Sequence, residues 1–382
     1  ERPEGVVFEE GDAQAAEVVF VYAGNGAQWL GMGRRLLLES PRFVEIMTSL
    51  DDLISQRAGF SILAELQVTP EASRLQDTAI AQPCLFAMQV ALTVILHEEG
   101  VDPAAVAGHS VGEVAAAWAV GALSLDQAVE VICARSAAQA RTAGAGRMAA
   151  VGLSESAMRA MLTGAFADIE VAGINSPYNV TVSGQLELLE QLSATLRKSK
   201  VDFRMLDLDY AFHSRAMDPV QPLLLTELAA LTPKSHSPKR FVSTVTGELT
   251  DGALLNAQYW WDNVRKPVQF EKAIRTIARM GCRVFIEISP HAILQRYVSE
   301  TLKNAEVNGT IVPTLRRDDD GLNRLKEAAL RAHLLSEQAG LRSHFPALGA
   351  SVQLPTYPWQ RDRHWHPQTA EANSSFSKRS VH

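Results

Sequence analysis

The sequence predicts an α/β protein, a mainly parallel sheet interrupted by a smaller α+β unit, on three observations. An apolar strand pattern at residues 16–23 (AEVVFVYA) runs into a glycine-rich turn and then helical periods. A second short apolar run, 101–107, meets Gly108-His109-Ser110-Val111-Gly112 and an alanine-rich helix. Residues 146–210 then change pattern before strand–helix alternation resumes. Strand, sharp turn and helix in succession is the order expected of a sheet covered by helices.

The elements follow in order. The turn after the first strand carries Gly24, Gly26, Gly31 and Gly33, and helical periods extend from there to about Leu66. A longer helix is expected from Gln82-Pro83, with proline in the first turn, to His97. The alanine-rich helix ends at Gly121, and Ser124 is placed to cap another over 124–143. Strands at 148–151, 169–174, 180–183 and 203–208 alternate with helices at 155–163 and 187–198. That is β-α-β-β-α-β, the ferredoxin-like order. Further strands are expected near 241–245, 284–288 and 311–315. Asp318-Asp319-Asp320 reads as favourable charge at a helix N-terminus rather than a metal site. The polar stretch 371–382 reads as a frayed tail.

Composition narrows the classes. Of 382 residues, 47% are hydrophobic and 21% charged, which excludes disorder for most of the chain. A net charge of −7 argues against a general nucleic-acid binder. No apolar run is read as long enough to span a membrane, and no signal peptide is recognised. Cys84, Cys133 and Cys282 lie beside apolar residues without CxxC spacing, so reduced core thiols and a cytoplasmic location are expected. The chain begins Glu1-Arg2-Pro3 without methionine, which predicts a piece of a longer polypeptide.

Residues 108–112 fit G-x-S-x-G, where tight crossing of strand and helix leaves no room for a Cβ and presents the serine over a helix N-terminus. Ser110 then needs a base. Of ten histidines, His364 and His366 lie in a polar tail, and His97, His236, His333 and His344 in exposed-looking sequence. His109 adjoins the serine but should point away, and a structural role suffices for His291. His213 follows the last strand of the inserted unit, at a junction that folds back toward the main sheet, and is preferred. No acidic third member stands out by spacing. Arg135 lies on the apolar face of its helix, where a buried guanidinium needs a partner. A structural carboxylate such as Glu113 and a substrate carboxylate both remain open. Gly24-Asn25-Gly26-Ala27-Gln28-Trp29 lacks the third glycine of a dinucleotide loop and better suits backbone amides offered to an oxyanion.

Together these motifs, with Gln82-Pro83, Asn175-Ser176-Pro177, Tyr210-Ala211-Phe212-His213 and Asn263 before Pro267-Val268, resemble the malonyl-CoA:acyl carrier protein transacylase family, and specifically the acyltransferase domains of modular polyketide synthases. The resemblance implies an α/β-hydrolase-like core with a parallel sheet (16–145 and 211–340) and an inserted ferredoxin-like subdomain (146–210). It also implies a linker remnant at 1–15 and a post-acyltransferase linker and tail at 341–382, including the aromatic 354–365 segment. Ser110 is the implied nucleophile and His213 the implied base, the latter oriented by a backbone carbonyl at the position of Asn263. Backbone amides of Asn25 and Val111 form the implied oxyanion hole, Arg135 grips a malonyl carboxylate, and Gln82 and Asn263 are the implied supporting positions. Tyr210, Phe212 and Val111 are the implied specificity positions. The Tyr-Ala-Phe-His motif is half of each family variant, and Phe212 favours malonyl over methylmalonyl. No resident cofactor or metal is implied. Acyl-CoA is the substrate, a phosphopantetheine-bearing carrier protein the acceptor, and a ketosynthase the neighbour through the linkers. The competing readings are a serine hydrolase and a catalytically silent docking module.

Overall fold

The structure, a computed structural model, describes residues 16–235 and 239–336. The predicted linkers at 1–15 and 341–382 lie outside them. Strand β1 (Glu17–Tyr22) is buried from Val18 onward on both faces, as a central parallel strand must be. After the glycine turn come α1 (Arg34–Glu39), α2 (Pro41–Ala58), α3 (Ile62–Gln67) and α4 (Thr78–Glu98). Ser40 caps α2 by accepting from the Phe43 amide. Next are β2 (Ala105–Gly108), α5 (Gly112–Ala119) and α6 (Leu125–Ala140), the last opened by a reciprocal Ser124–Gln127 capping box.

Helix α4 departs from expectation twice. It begins a turn earlier, with the Asp77 side chain accepting from the Ala79 amide, so Pro83 lies inside the helix. Burial of nearly the whole helix outweighs the roughly 3 kcal/mol an interior proline costs. Contrary to the reading of the bare sequence, α4 is also long and apolar enough to cross a membrane, but 89% of its apolar window is packed inside the fold as a core helix.

The chain then builds a second sheet from β3 (Arg147–Val151), β4 (Glu170–Ser176), β5 (Asn179–Gly184) and β6 (Phe203–Met205), with α7 (Glu155–Met161) and α8 (Leu186–Lys198) on one side. Its order, β4-β5-β3-β6, is antiparallel throughout, and it encloses its own small core around Val151, Met158 and Leu192. Returning to the first unit, the chain forms α9 (Gln221–Glu227), β7 (Arg240–Val242), α10 (Ala257–Arg265), α11 (Phe270–Arg279), β8 (Cys282–Ile288), α12 (Gln295–Asn304), β9 (Thr310–Pro313) and α13 (Leu322–Ser336).

The main sheet has order β7-β2-β1-β8-β9, all parallel. Tyr22 pairs with Gly108 on one side and Ile288 on the other, so three strands end level. The chain moves from β1 outward to β2 on one side and later to β8 on the other. The turns after these strands therefore open at one carboxyl edge, at the point where strand order reverses, which is where open α/β sheets place their ligands. Asp320 helps fix this edge: its carboxylate accepts from the Gly33 amide (3.1 Å), a more specific task than the general helix-terminus charge expected of it.

Candidate active site

The turn between β2 and α5 is tight because strand and helix nearly touch. A Cβ on Gly108 would lie 2.2 Å from the Glu113 nitrogen, and one on Gly112 would lie 2.3 Å from the Tyr22 carbonyl oxygen. Between them Ser110 adopts φ 53°, a left-handed conformation unusual for a residue with a side chain. Its Oγ lies 2.8 Å from Nε2 of His213, itself at φ 56°. On the far side of the ring, Nδ1 lies 2.9 Å from the Lys266 carbonyl oxygen. That oxygen can only accept, so Nδ1 carries the proton and Nε2 is left as acceptor for the serine hydroxyl. Burial, reinforced by the nearby charge of Arg135, pushes the His213 pKa down to about 3, so the imidazole is neutral at physiological pH.

The orienting carbonyl belongs to Lys266 and not to Asn263, which corrects the role expected of the latter. Asn263 instead links the buried layer behind Ser110. Its Nδ2 donates to the Ser110 carbonyl (3.1 Å) and to Glu113 (2.7 Å), and its Oδ1 accepts from Arg135 (3.1 Å). Arg135 is fully buried; its Nη1 donates to Gln82 (2.5 Å), and its Nε has no partner among the described residues. The direct Arg135–Glu113 pair considered from sequence is not formed; Asn263 stands between the two. Glu113 also accepts from the Thr244 amide, the Thr244 hydroxyl (3.0 Å) and the Tyr259 hydroxyl (2.9 Å). Burial raises its pKa to about 7 against these donors, and burial lowers that of Arg135 to about 9 against the pull of Glu113. Gln82 is itself anchored by Thr78 and Gln139.

Ser110 and His213 face a cleft of about 700 Å³ between the carboxyl edge of the main sheet and the second sheet, reaching Met148, Ala150 and Leu206 on the far wall. Asn25 and Phe212 line it. Tyr210 does not; it stacks behind Phe212 at 4.9 Å between ring centroids, its hydroxyl near the Thr78 amide. The Val111 side chain is buried and is not part of the lining, so of the three specificity positions only Phe212 reaches the cleft. Arg135 does not line it either. Among the described residues the backbone amides of Asn25 and Val111 donate to no protein acceptor, leaving both available.

Other histidines resolve as follows. His109 lines the cleft and contacts Asn175 Oδ1 through Nε2 (3.0 Å), and its ring packs edge-on against Phe270. His333 is buried, not exposed, and its Nε2 reaches the Glu99 carbonyl at 2.8 Å. His291 accepts at Nδ1 from the Arg317 amide (3.1 Å), a structural role. Lys266 was missed by sequence reasoning because a main-chain carbonyl has no residue signature.

A left-handed serine on a strand-to-helix turn, with a neutral buried histidine to accept its proton, is apparatus for covalent acyl chemistry. The acyl transferase domain family matches residues 19–339, and the chain belongs to that family and is an acyltransferase. Among modular polyketide synthases it is 37% identical over 93% of its length to GfsE of Streptomyces halstedii, and 35% identical over 95% to erythronolide synthase EryA2 of Saccharopolyspora erythraea. It spans only 9% and 10% of the length of those two relatives. Among solved structures, the acyltransferase domain from module 8 of the salinomycin polyketide synthase superposes with a TM-score of 0.80 at 34% identity, covering 84% of this chain and 77% of that one. A malonyl CoA-acyl carrier protein transacylase from Clostridium perfringens shares the fold, with a TM-score of 0.73 at 24% identity, covering 84% of this chain and 98% of that one.

Proposed function

We propose that the chain loads an extender unit from an acyl-CoA onto the phosphopantetheine thiol of an acyl carrier protein within a polyketide synthase, malonyl being the favoured unit. The observation that carries this is the Ser110–His213 contact of 2.8 Å, with the imidazole held in the proton-accepting tautomer by the Lys266 carbonyl. Ser110 Oγ attacks the thioester carbonyl as His213 Nε2 takes its proton. The amides of Asn25 and Val111 receive the developing oxyanion. The C–S bond breaks, the coenzyme A sulfur leaves with the proton from His213, and the acyl group remains as an ester on Ser110. The carrier thiol then attacks this ester with His213 again as base, and the proton returns to Ser110.

Arg135 supports a dicarboxylic acyl unit because it is buried and, among the described residues, has no direct ion pair and no partner for Nε. It does not line the cleft, so on this reading loading brings the acyl carboxylate and the guanidinium together by a rearrangement of the buried side chains. Phe212 lines the cleft; on this reading it takes the space a 2-methyl branch needs, a discrimination worth about 1–3 kcal/mol. No resident cofactor enters the scheme. The predicted linkers would join the domain to a ketosynthase, in the cytoplasm.

The test is a competition among malonyl-, methylmalonyl- and acetyl-CoA, reading the mass of the Ser110 adduct before and after a carrier protein is added. Malonyl adducts that persist in water and move to the carrier are expected. Rapid release to water, with none reaching the carrier, would establish a hydrolase instead. Loading unchanged in Ser110→Ala would remove the nucleophile assignment.

A further inference from the structure

The His213–Lys266 hydrogen bond joins two segments 53 residues apart, and neither is part of a helix or strand at that point. What holds them in register is the second sheet. Glu170, the first residue of edge strand β4, accepts at Oε1 from both the Arg215 amide (2.7 Å) and Arg215 Nε (3.0 Å). Its Oε2 accepts from Arg265 Nη1 (3.1 Å). Arg215 lies two residues after His213 and Arg265 one residue before Lys266, so one carboxylate grips both sides of the bond that orients the imidazole.

Neighbouring contacts act in the same sense. The Val268 amide donates to Ala172 of β4 (2.9 Å) and the Ile174 amide to the Val268 carbonyl (2.8 Å). Ser183 of β5 donates to the Phe212 carbonyl (2.6 Å), next to His213. Asp168 accepts from Arg215 Nη1 at 2.9 Å, and Asp218 accepts from Arg265 Nε at 2.6 Å. His213 sits at φ 56°, a conformation that persists only when its surroundings over-determine it. Partly exposed ion pairs contribute little to stability, so this cluster is better explained by register than by fold energy.

We infer that Glu170 is a positioning residue for the acyl transfer: by clamping Arg215 and Arg265 together it sets the Nδ1–carbonyl bond that keeps His213 Nε2 aimed at Ser110. The second sheet is then a working part of the catalytic base as well as a wall of the cleft. This rests on the assignment of His213 as the base.

The experiment compares Glu170→Ala, Glu170→Asp and, as a control on the same unit, Glu155→Ala, which removes the exposed Glu155–Arg159 pair of α7. The readouts are the single-turnover rate of Ser110 acylation by malonyl-CoA, its half-saturation concentration, the melting temperature and the His213 Nδ1–H signal in nitrogen-edited NMR. Glu170→Ala should slow acylation about tenfold to a hundredfold with half-saturation unchanged and the Nδ1–H signal shifted or lost to exchange. Glu170→Asp should recover part of the rate, and Glu155→Ala should acylate as wild type. Wild-type acylation in Glu170→Ala, or slowing with an unaltered Nδ1–H signal, overturns the inference. His213→Ala in the same series separates the two levels: wild-type acylation there overturns the base assignment itself, whereas its loss beside an unaffected Glu170→Ala overturns only the positioning role.

Discussion

Replacing Asn263 by alanine tests the buried layer behind the serine most directly. The side chain makes three hydrogen bonds, to the Ser110 carbonyl, Glu113 and Arg135, and all three partners are buried. Their losses are unequal. Glu113 keeps the Thr244 amide, the Thr244 hydroxyl and Tyr259 as donors, so it loses one of four. Among the described residues Arg135 keeps only Gln82, with Nε already unpartnered. A buried polar group left unsatisfied costs about 1–3 kcal/mol, and more when charged. The penalty, about 3–4 kcal/mol together, should therefore fall mostly on Arg135, because the Ser110 carbonyl keeps the Glu113 amide (3.1 Å). At an unfolding entropy of about 2.1 cal/mol/K per residue, over roughly 320 residues, that lowers the melting temperature by roughly 4–6 °C. Thermal unfolding and single-turnover acylation, followed by intact mass, check both consequences: a destabilised protein, and slower acylation as Ser110 loses a tether on its carbonyl. A variant that melts within a degree of wild type and acylates at the wild-type rate would refute the picture of Asn263 as the link between charge layer and nucleophile.

Three further outcomes follow from the same geometry. Arg135→Ala should cut malonyl loading and raise the share of acetyl adduct in a mixed acyl-CoA competition; an unchanged adduct ratio would exclude Arg135 from carboxylate recognition. His213 has a folded-state pKa pushed below its ordinary 6.5, so its stabilising contribution is full above pH 6.5 and is lost as pH falls toward about 3. The neutral base should likewise persist below pH 6.5, so acylation rates measured from pH 5 to 8 should show no midpoint near 6.5; such a midpoint would contradict the buried, neutral imidazole. Phe212→Ser should enlarge the cleft wall and raise methylmalonyl over malonyl adduct by about tenfold, within the range that one methyl group commands. Adduct masses in equimolar competition decide it, and no change in ratio would move specificity away from this position.

The elbow was legible because its chemistry is written in residue types: glycines two before and two after the serine are needed wherever strand and helix pass this closely. The α6 cap was legible in the same way, from Ser124 ahead of an apolar period. Histidine selection was harder. His213 could be favoured only from its place after the last strand of an inserted unit, and its partner was hidden because Lys266 contributes a carbonyl common to every residue. Asn263 was singled out for the wrong reason, since sequence cannot say which of two nearby groups faces the imidazole. Helix α4 failed differently. Gln82, Pro83 and Gln89 look like interruptions of an apolar run, but they are accommodated inside: Gln82 bonds Thr78, Gln139 and Arg135, and Gln89 donates to the Ala23 carbonyl (2.7 Å). A polar side chain can be buried where its groups find partners, and His333, expected in exposed sequence, is a second case.

The Ser110–His213 contact spans 103 residues of chain, and the whole second sheet lies within that span. Neither the main sheet nor the inserted unit can make the contact alone. Long-range contacts form only after the entropy of closing their loops has been overcome. Chemical competence is thus a property of completed assembly: a newly made chain can hold a finished parallel sheet and still have no base within reach of its serine. On the proposed mechanism, such a chain forms no acyl ester until the second sheet is in place.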